Sequence, residues 1–188
     1  RVTGDPLYLN MAKKFIDIRG VTYVPDGKGT MSPEYAQQHA PVRKQDKAVG
    51  HAVRAVYLYS GMSDVGTLTG DTTLPPALDK IWGNIVDTRM HITGGLGAIH
   101  GIEGFGPEYD LPNKEAYNET CAAVGNVFFN HRMFLLEKDG KYMDVAEVSL
   151  LNNVLAGVNL EGNKFFYVNP LASDGTVDRS YWFGTACC

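Results

Sequence analysis

The sequence predicts a mainly α-helical domain, an incomplete (α/α)6 barrel or six-hairpin toroid with a short β element near residues 164–171. Three observations predict it. A short acidic-glycine turn precedes a helix-patterned segment three times, as Thr3-Gly4-Asp5, Thr69-Gly70-Asp71 and Lys138-Asp139-Gly140, at a period of 66 to 68 residues. Segments following the first two turns carry one apolar face, whereas those preceding the second and third turns are small or apolar on nearly every side. Alternating half-buried and sandwiched helices describe the outer and inner members of hairpins stacked into a ring.

The elements follow in order. In Leu7–Arg19, Leu9, Ala12 and Ile16 fall at i, i+3 and i+7, and Gly20 closes the helix. Asp46–Tyr59, with Ala48, Val49, Ala52, Val53, Ala55 and Val56, reads as an inner helix. Leu74, Ala77, Leu78, Ile81 and Ile85 give Leu74–Val86 one buried stripe, and Tyr117–Leu136 is the second inner helix. Lys141–Leu155 is the outer helix after the third turn. Lys164–Leu171 is aromatic and β-branched and ends at Asn169-Pro170, as a short strand does. The long connection from Ile92 to Asn113 contains Thr93-Gly94-Gly95-Leu96-Gly97 and Glu103-Gly104-Phe105-Gly106-Pro107; loops of that length in a compact domain are usually functional. Only two to three hairpins fit, so residues 1–188 are expected to be a fragment of a larger catalytic domain, cut at both ends.

Composition sets outer limits. With 17 Lys+Arg against 21 Asp+Glu, a net charge of −4 and 44% hydrophobic residues, the chain is globular and offers no basic surface for nucleic acid or an anionic membrane. No stretch approaches the roughly 18 apolar residues of a membrane span. Three cysteines, two of them adjacent, make a poor disulfide framework, which favours reduced thiols and the cytoplasm unless a signal peptide precedes Arg1.

The repeat also selects residues. Shifting the second inner helix by 68 positions, which lays Asp71 on Asp139, lays His51 on Glu119. In a toroid that shared place faces the central cavity, so the two are expected to converge there. Glu119, Cys121, Cys187 and Cys188 together offer one carboxylate and three thiols, a complete tetrahedral shell for Zn²⁺. Spacing alone leaves two readings open: that shell, or Cys121 as a small buried apolar residue. The zinc reading requires Glu119 and Cys121 to sit at an irregular helix start, because i and i+2 on a helix point about 200° apart. Glu103 stands in the glycine-rich loop as an acid poised over a ligand or as a solvated side chain, and Tyr167 either meets a sugar hydroxyl or caps the core. His39-Ala40-Pro41-Val42-Arg43 either brings imidazole and guanidinium near the cavity or leaves Arg43 paired with Asp46.

Taken together, His39-Ala-Pro-Val-Arg43, Ala48-Val-Gly-His51-Ala-Val-Arg54, Thr93-Gly-Gly95, Glu103-Gly-Phe105, Tyr109-Asp-Leu-Pro-Asn113, Glu119-Thr-Cys121-Ala-Ala, Phe165-Phe-Tyr167 and Cys187-Cys188 closely resemble glycoside hydrolase family 127, which includes β-L-arabinofuranosidases. The likeness runs through the whole sequence in order. It implies a zinc-dependent, cysteine-based retaining glycosidase on an (α/α)6 barrel, acting on an L-arabinofuranose-containing glycan. By motif, Glu119, Cys121, Cys187 and Cys188 would bind zinc, Cys187 would be the nucleophile, Glu103 the acid/base, and His51 and Tyr167 sugar contacts. The family's further upstream histidines and glutamine have no counterpart here. The alternatives are a relative cleaving another L-sugar, such as aceric acid in pectin side chains, and a zinc-stabilised helical scaffold that binds glycans without hydrolysis. A homodimer would form through parts of the parent chain outside this sequence.

Overall fold

The computed structural model describes residues 2–22 and 26–182. Along the chain run α1 (Pro6–Ile18), α2 (Ala52–Thr69), α3 (Pro75–Thr88), α4 (Thr120–Glu137) and α5 (Lys141–Ser149), and α5 continues into a π-helical turn over Leu150–Leu155. A two-residue strand β1 (Lys164–Phe165) pairs antiparallel with β2 (Ser180–Tyr181), Lys164 opposite Tyr181. No helix among the described residues is long and apolar enough to cross a membrane.

The three acidic turns do the same local work. Asp5, Asp71 and Asp139 each accept a hydrogen bond from the backbone N–H two residues on, at 2.8, 2.9 and 3.0 Å, from Leu7, Thr73 and Lys141. An aspartate so bonded substitutes for the missing turn of backbone at a helix entry. The chain thus enters α1, α3 and α5 by one device, which is why the repeat is visible in the sequence.

α2 and α4 form the inner layer. Each has 18 residues, and their first and last residues are all 68 apart, Ala52 to Thr120 and Thr69 to Glu137. Both end on a left-handed residue, Gly70 at φ 67° and Lys138 at φ 62°. They lie against each other closely, with Gly125 facing Val56 and the Tyr59 and Phe129 rings 5.5 Å apart. Buried side chains stand on several sides of both helices, so their apolar residues do not gather into one stripe. Outside them, α3 buries Ala77, Leu78, Ile81 and Ile85, α5 buries Tyr142, Val145 and Ala146, and α1 buries Ile16 with Leu9 and Ala12 packed beside it. These are the stripes that the periodicity predicts.

Three details differ from the expectation. The first inner helix runs over 52–69 rather than 46–59. Gly50 stands at φ +73° with no room for a side chain against the Glu34 carbonyl, which delays the start, and the glycines at 61 and 66 do not end a helix held along α4. Arg43 pairs with Asp17 at 2.8 Å and Asp71 at 2.7 Å, not with Asp46. It ties α1 to the turn before α3, and the two acids hold its guanidinium protonated above the ordinary range. Only the first two residues of the expected 164–171 strand join a ladder; of the rest, Val168 forms an isolated bridge with Glu119 at the start of α4.

Candidate active site

His51 and Glu119 are the N-cap residues of α2 and α4. Each has extended backbone, φ −63° ψ 121° and φ −64° ψ 133°, and neither side chain caps its own helix. Capping falls to a neighbouring loop instead. Ala52 N–H donates to the Glu103 carbonyl at 3.1 Å, and Thr120 N–H donates to the Tyr167 carbonyl at 3.0 Å. The same loops bond back two residues further on, Phe105 N–H to Gly50 O at 2.9 Å and Asn169 N–H to Asn118 O at 3.2 Å. Isolated antiparallel bridges, His51 with Gly104 and Glu119 with Val168, complete the two matching units. A carbonyl satisfies the first orphan N–H of each helix, and the N-cap side chains meet Glu103 rather than the backbone of their own helices.

Glu103 and Tyr167 therefore occupy equivalent places, each supplying the capping carbonyl for one inner helix. Glu103 has φ +50°, a left-handed conformation in a side-chain-bearing residue, such as clusters at functional sites. Its carboxylate lies 3.2 Å from His51 Nε2. One ligating atom from each of His51, Glu103 and Glu119 falls within 4.8 Å of the other two, a three-donor group that can hold a metal ion. The Tyr117 phenol lies near enough to feel Glu119, Glu103 and Tyr167, and Glu119 near enough to feel Tyr167. The Tyr117 ring meets the edges of His100 at 5.0 Å and Tyr167 at 6.4 Å between centroids.

Burial dominates the electrostatics. Glu119 is 2% exposed, and desolvation raises its pKa against the lowering effect of the Tyr167 bond, with the Glu103 charge adding to the rise. Burial lowers the His51 pKa although Glu103 raises it, and Arg54 lowers it further. Burial, then the Glu119 and Glu103 charges, push the Tyr117 phenol above its ordinary value. A buried carboxyl of this kind gains its charged form when a cation arrives beside it.

The helix start carries Cys121 as well. Glu119 is the extended cap and Cys121 the second helical residue, so the pair sits at the irregular start that shared ligation demands. A carboxylate oxygen and a sulfur at this place suit the borderline-soft Zn²⁺. Cys121 is disulfide-bonded in this structure, which corrects the expectation of a reduced thiol there. Cys187 and Cys188 lie outside the described residues. His39 is half-buried, with its pKa lowered chiefly by burial, and it is not among the three clustered donors. Tyr117 was not singled out from the sequence: one tyrosine among ten at a helix entrance carries no spacing signal.

A family model described as the β-L-arabinofuranosidase, GH127 catalytic domain matches residues 1–188. The non-reducing end β-L-arabinofuranosidase of Bifidobacterium longum subsp. longum is 40% identical over 211 aligned residues, taking in 99% of this chain and 32% of that protein. A solved GH127 β-arabinofuranosidase superposes with a TM-score of 0.91 at 55% identity, over 100% of this chain and 28% of its own. A GH127 β-L-arabinofuranosidase from Geobacillus stearothermophilus T6 superposes equally well, TM-score 0.91 at 40% identity, over 100% of this chain and 33% of its own. The chain spans about a third of the length of these relatives. A match over every residue, joined to the His51, Glu103, Glu119 and Tyr167 cluster at the inner-helix entrances, establishes that this chain belongs to the GH127 β-L-arabinofuranosidase catalytic-domain family.

Proposed function

We propose that this chain forms the catalytic centre of a retaining glycoside hydrolase that releases terminal L-arabinofuranose from β-L-arabinofuranosides. The observation that carries the reading is the convergence of His51, Glu103 and Glu119, within 4.8 Å, at the entrances of two consecutive inner helices. The repeat adds support from the sequence: the 68-residue interval that separates His51 from Glu119, counted once more, arrives at Cys187. Glu119, Cys121, Cys187 and Cys188 would hold Zn²⁺, which when bound keeps a cysteine sulfur deprotonated at neutral pH.

The chain's own residues then do the rest. The Cys187 sulfur attacks the anomeric carbon while Glu103, entering as the acid, gives its proton to the departing glycosidic oxygen. The C–O bond breaks as the C–S bond forms. Glu103, now a carboxylate, takes a proton from water, whose oxygen displaces the sulfur, and two inversions return the original configuration. His51, 3.2 Å from Glu103, orients that carboxyl and reaches sugar hydroxyls. Tyr167 and Tyr117, beside Glu119 and Glu103, add phenols suited to a polyhydroxylated ring. A scaffold that merely binds glycans has no use for an acid held against an imidazole in a left-handed loop.

The test uses the complete parent protein, reduced so that Cys121 is a thiol. L-arabinose release from an aryl β-L-arabinofuranoside is expected, with loss on treatment by a zinc chelator and recovery on zinc addition. Release of no L-arabinose, or release indifferent to Cys187→Ser, overturns the reading.

A further inference from the structure

The Thr93-Gly94-Gly95 turn, conspicuous in the sequence, does not reach the carboxylate cluster through side chains of its own. It lies behind Glu119, against a set of buried amides. Gly94 stands at φ +81°, and a Cβ there would meet the Ser149 Cα at 2.5 Å. A Cβ on Gly95 would overlap the amides of Asn118 and Asn153. Only glycine fits at either place. Asn118, Asn126, Ser149 and Asn153 are all fully buried. Asn126 Nδ2 donates to Ser149 Oγ at 3.0 Å and to the Gly94 carbonyl at 3.3 Å, and Ser149 Oγ donates to that carbonyl at 3.1 Å.

Asn118 immediately precedes Glu119 and has φ +44°, so its backbone decides where the Glu119 carboxyl points. Three bonds hold it. Its N–H donates to the Gly97 carbonyl at 2.7 Å, its carbonyl accepts from Asn169 N–H at 3.2 Å, and its Nδ2 donates to the Asn169 carbonyl at 2.7 Å. Asn169 follows Tyr167 by two residues. Its own side chain reaches the other way, Nδ2 donating to the Asn153 carbonyl at 3.1 Å. Asn153 lies in the π-helical turn Leu150–Leu155, and its Nδ2 donates to Thr93 Oγ1 at 3.2 Å. π-Helical turns are rare and frequently accompany functional sites.

We propose that Asn169 is a positioning residue: bonded to Asn118 on one side and to the π-helical turn on the other, it fixes the Glu119 carboxyl and the Tyr167 phenol relative to each other. The proposal rests on the functional reading above, in which Glu119 is a zinc ligand. The amide cluster behind it serves as a rigid back wall, and the paired glycines are the concession that lets the wall close. Outer-shell partners of metal ligands typically carry about 10–100-fold in metal affinity or activity, and a two-sided tether of this kind belongs to that class.

The experiment compares wild-type, Asn169→Ala and Asn169→Asp forms of the complete, reduced parent enzyme. Asn169→Asp keeps the volume and loses the donor. Three quantities are read: zinc dissociation against a competing chelator, kcat and KM on an aryl β-L-arabinofuranoside, and Tm. Both variants are expected to release zinc about 10–100-fold more readily and to lose kcat in step, with KM changed less than about threefold. Ile85→Val, a conservative change in the buried face of α3, serves as the control for general weakening and should leave zinc affinity and kcat unchanged. Wild-type zinc affinity and kcat in both Asn169 variants, whatever their Tm, would overturn the proposal, as would an Asp variant indistinguishable from wild type beside a weakened Ala variant. Failure of the functional reading registers separately, as activity that survives Cys187→Ser and Glu103→Gln, because zinc dissociation reports on Asn169 without any turnover.

Discussion

Replacing Gly125 by alanine tests whether the close approach of α2 and α4 sets the geometry of the site. A Cβ at 125 would stand less than 3.0 Å from Val56 Cγ2 and 3.5 Å from Tyr57 Cε2. A relaxed carbon contact is about 3.5–4.0 Å, so either Val56 rotates or the helices part by at least about half an ångström. Valine in a helix has one strongly preferred rotamer, and Val56 is fully buried, so rotation brings its other methyl into the core. Overpacking of this kind costs about 1–3 kcal/mol. For a domain of this size that is a Tm fall of about 2–4 °C per kcal/mol. Because α2 and α4 carry His51 and Glu119 at their N-caps, kcat should fall as well. Scanning calorimetry of the parent protein measures the first and initial rates the second. The double variant Val56→Ala with Gly125→Ala takes two methyls from α2, among them the one that clashes, for the one added to α4, and should recover part of the loss, a favourable coupling. An alanine at 125 that leaves Tm and kcat untouched, or a double variant merely additive, would refute the argument.

Glu103→Gln should slow hydrolysis of substrates with poor leaving groups by about 10²–10⁴-fold, while a nitrophenyl glycoside, needing no proton, loses far less in the first step; equal losses on both would take the acid role from Glu103. Stability should also fall in acid through His91, which is 1% exposed and whose pKa burial lowers. The unfolded chain binds a proton that the folded one refuses, so the contribution is whole above about pH 6.5 and shrinks as pH drops below that; His91→Gln should flatten the profile, and a denaturation midpoint with the same pH slope in both forms would exclude His91 as the cause.

How much of this was legible in the sequence depends on whether local chemistry or tertiary packing made the decision. The acidic turns at Asp5, Asp71 and Asp139 act on the next two residues, so sequence shows them directly. The shift of 68 residues that lays His51 on Glu119 was equally plain, and both are N-caps. The start of α2 was not legible, because Gly50 owes its φ of +73° to a carbonyl sixteen residues away at Glu34, which no window around residue 50 contains. Tyr117, Asn118 and Asn169 were invisible for a related reason. Their roles are defined by who stands opposite across a loop, Tyr117 by Glu103 and Asn169 by Asn153. Arg43 was mispaired because its nearest acid in sequence, Asp46, competes with two acids brought by the fold.

The division of labour at the helix entrances carries one more consequence. An ordinary N-cap side chain bonds the first turn, and its removal costs about 0.5–2 kcal/mol. At α2 the Glu103 carbonyl, 3.1 Å from Ala52 N, takes the first helical N–H, and the His51 side chain bonds none of the first turn, so His51 occupies a cap position without capping. His51→Asn should therefore leave helix stability near wild type, since asparagine suits an N-cap and the loop carbonyl remains, yet it removes the imidazole 3.2 Å from Glu103. The expected outcome in the parent enzyme is a Tm shift within about 2 °C, no more than about 1 kcal/mol for a domain of this size, beside a loss of kcat/KM of tenfold or more, about 1.4 kcal/mol of transition-state binding. A large thermal loss with proportionate inactivation would mean that His51 holds the helix after all. In that case the loop carbonyl would be an accessory to the cap, and the separation of scaffold from chemistry at these two entrances would not exist.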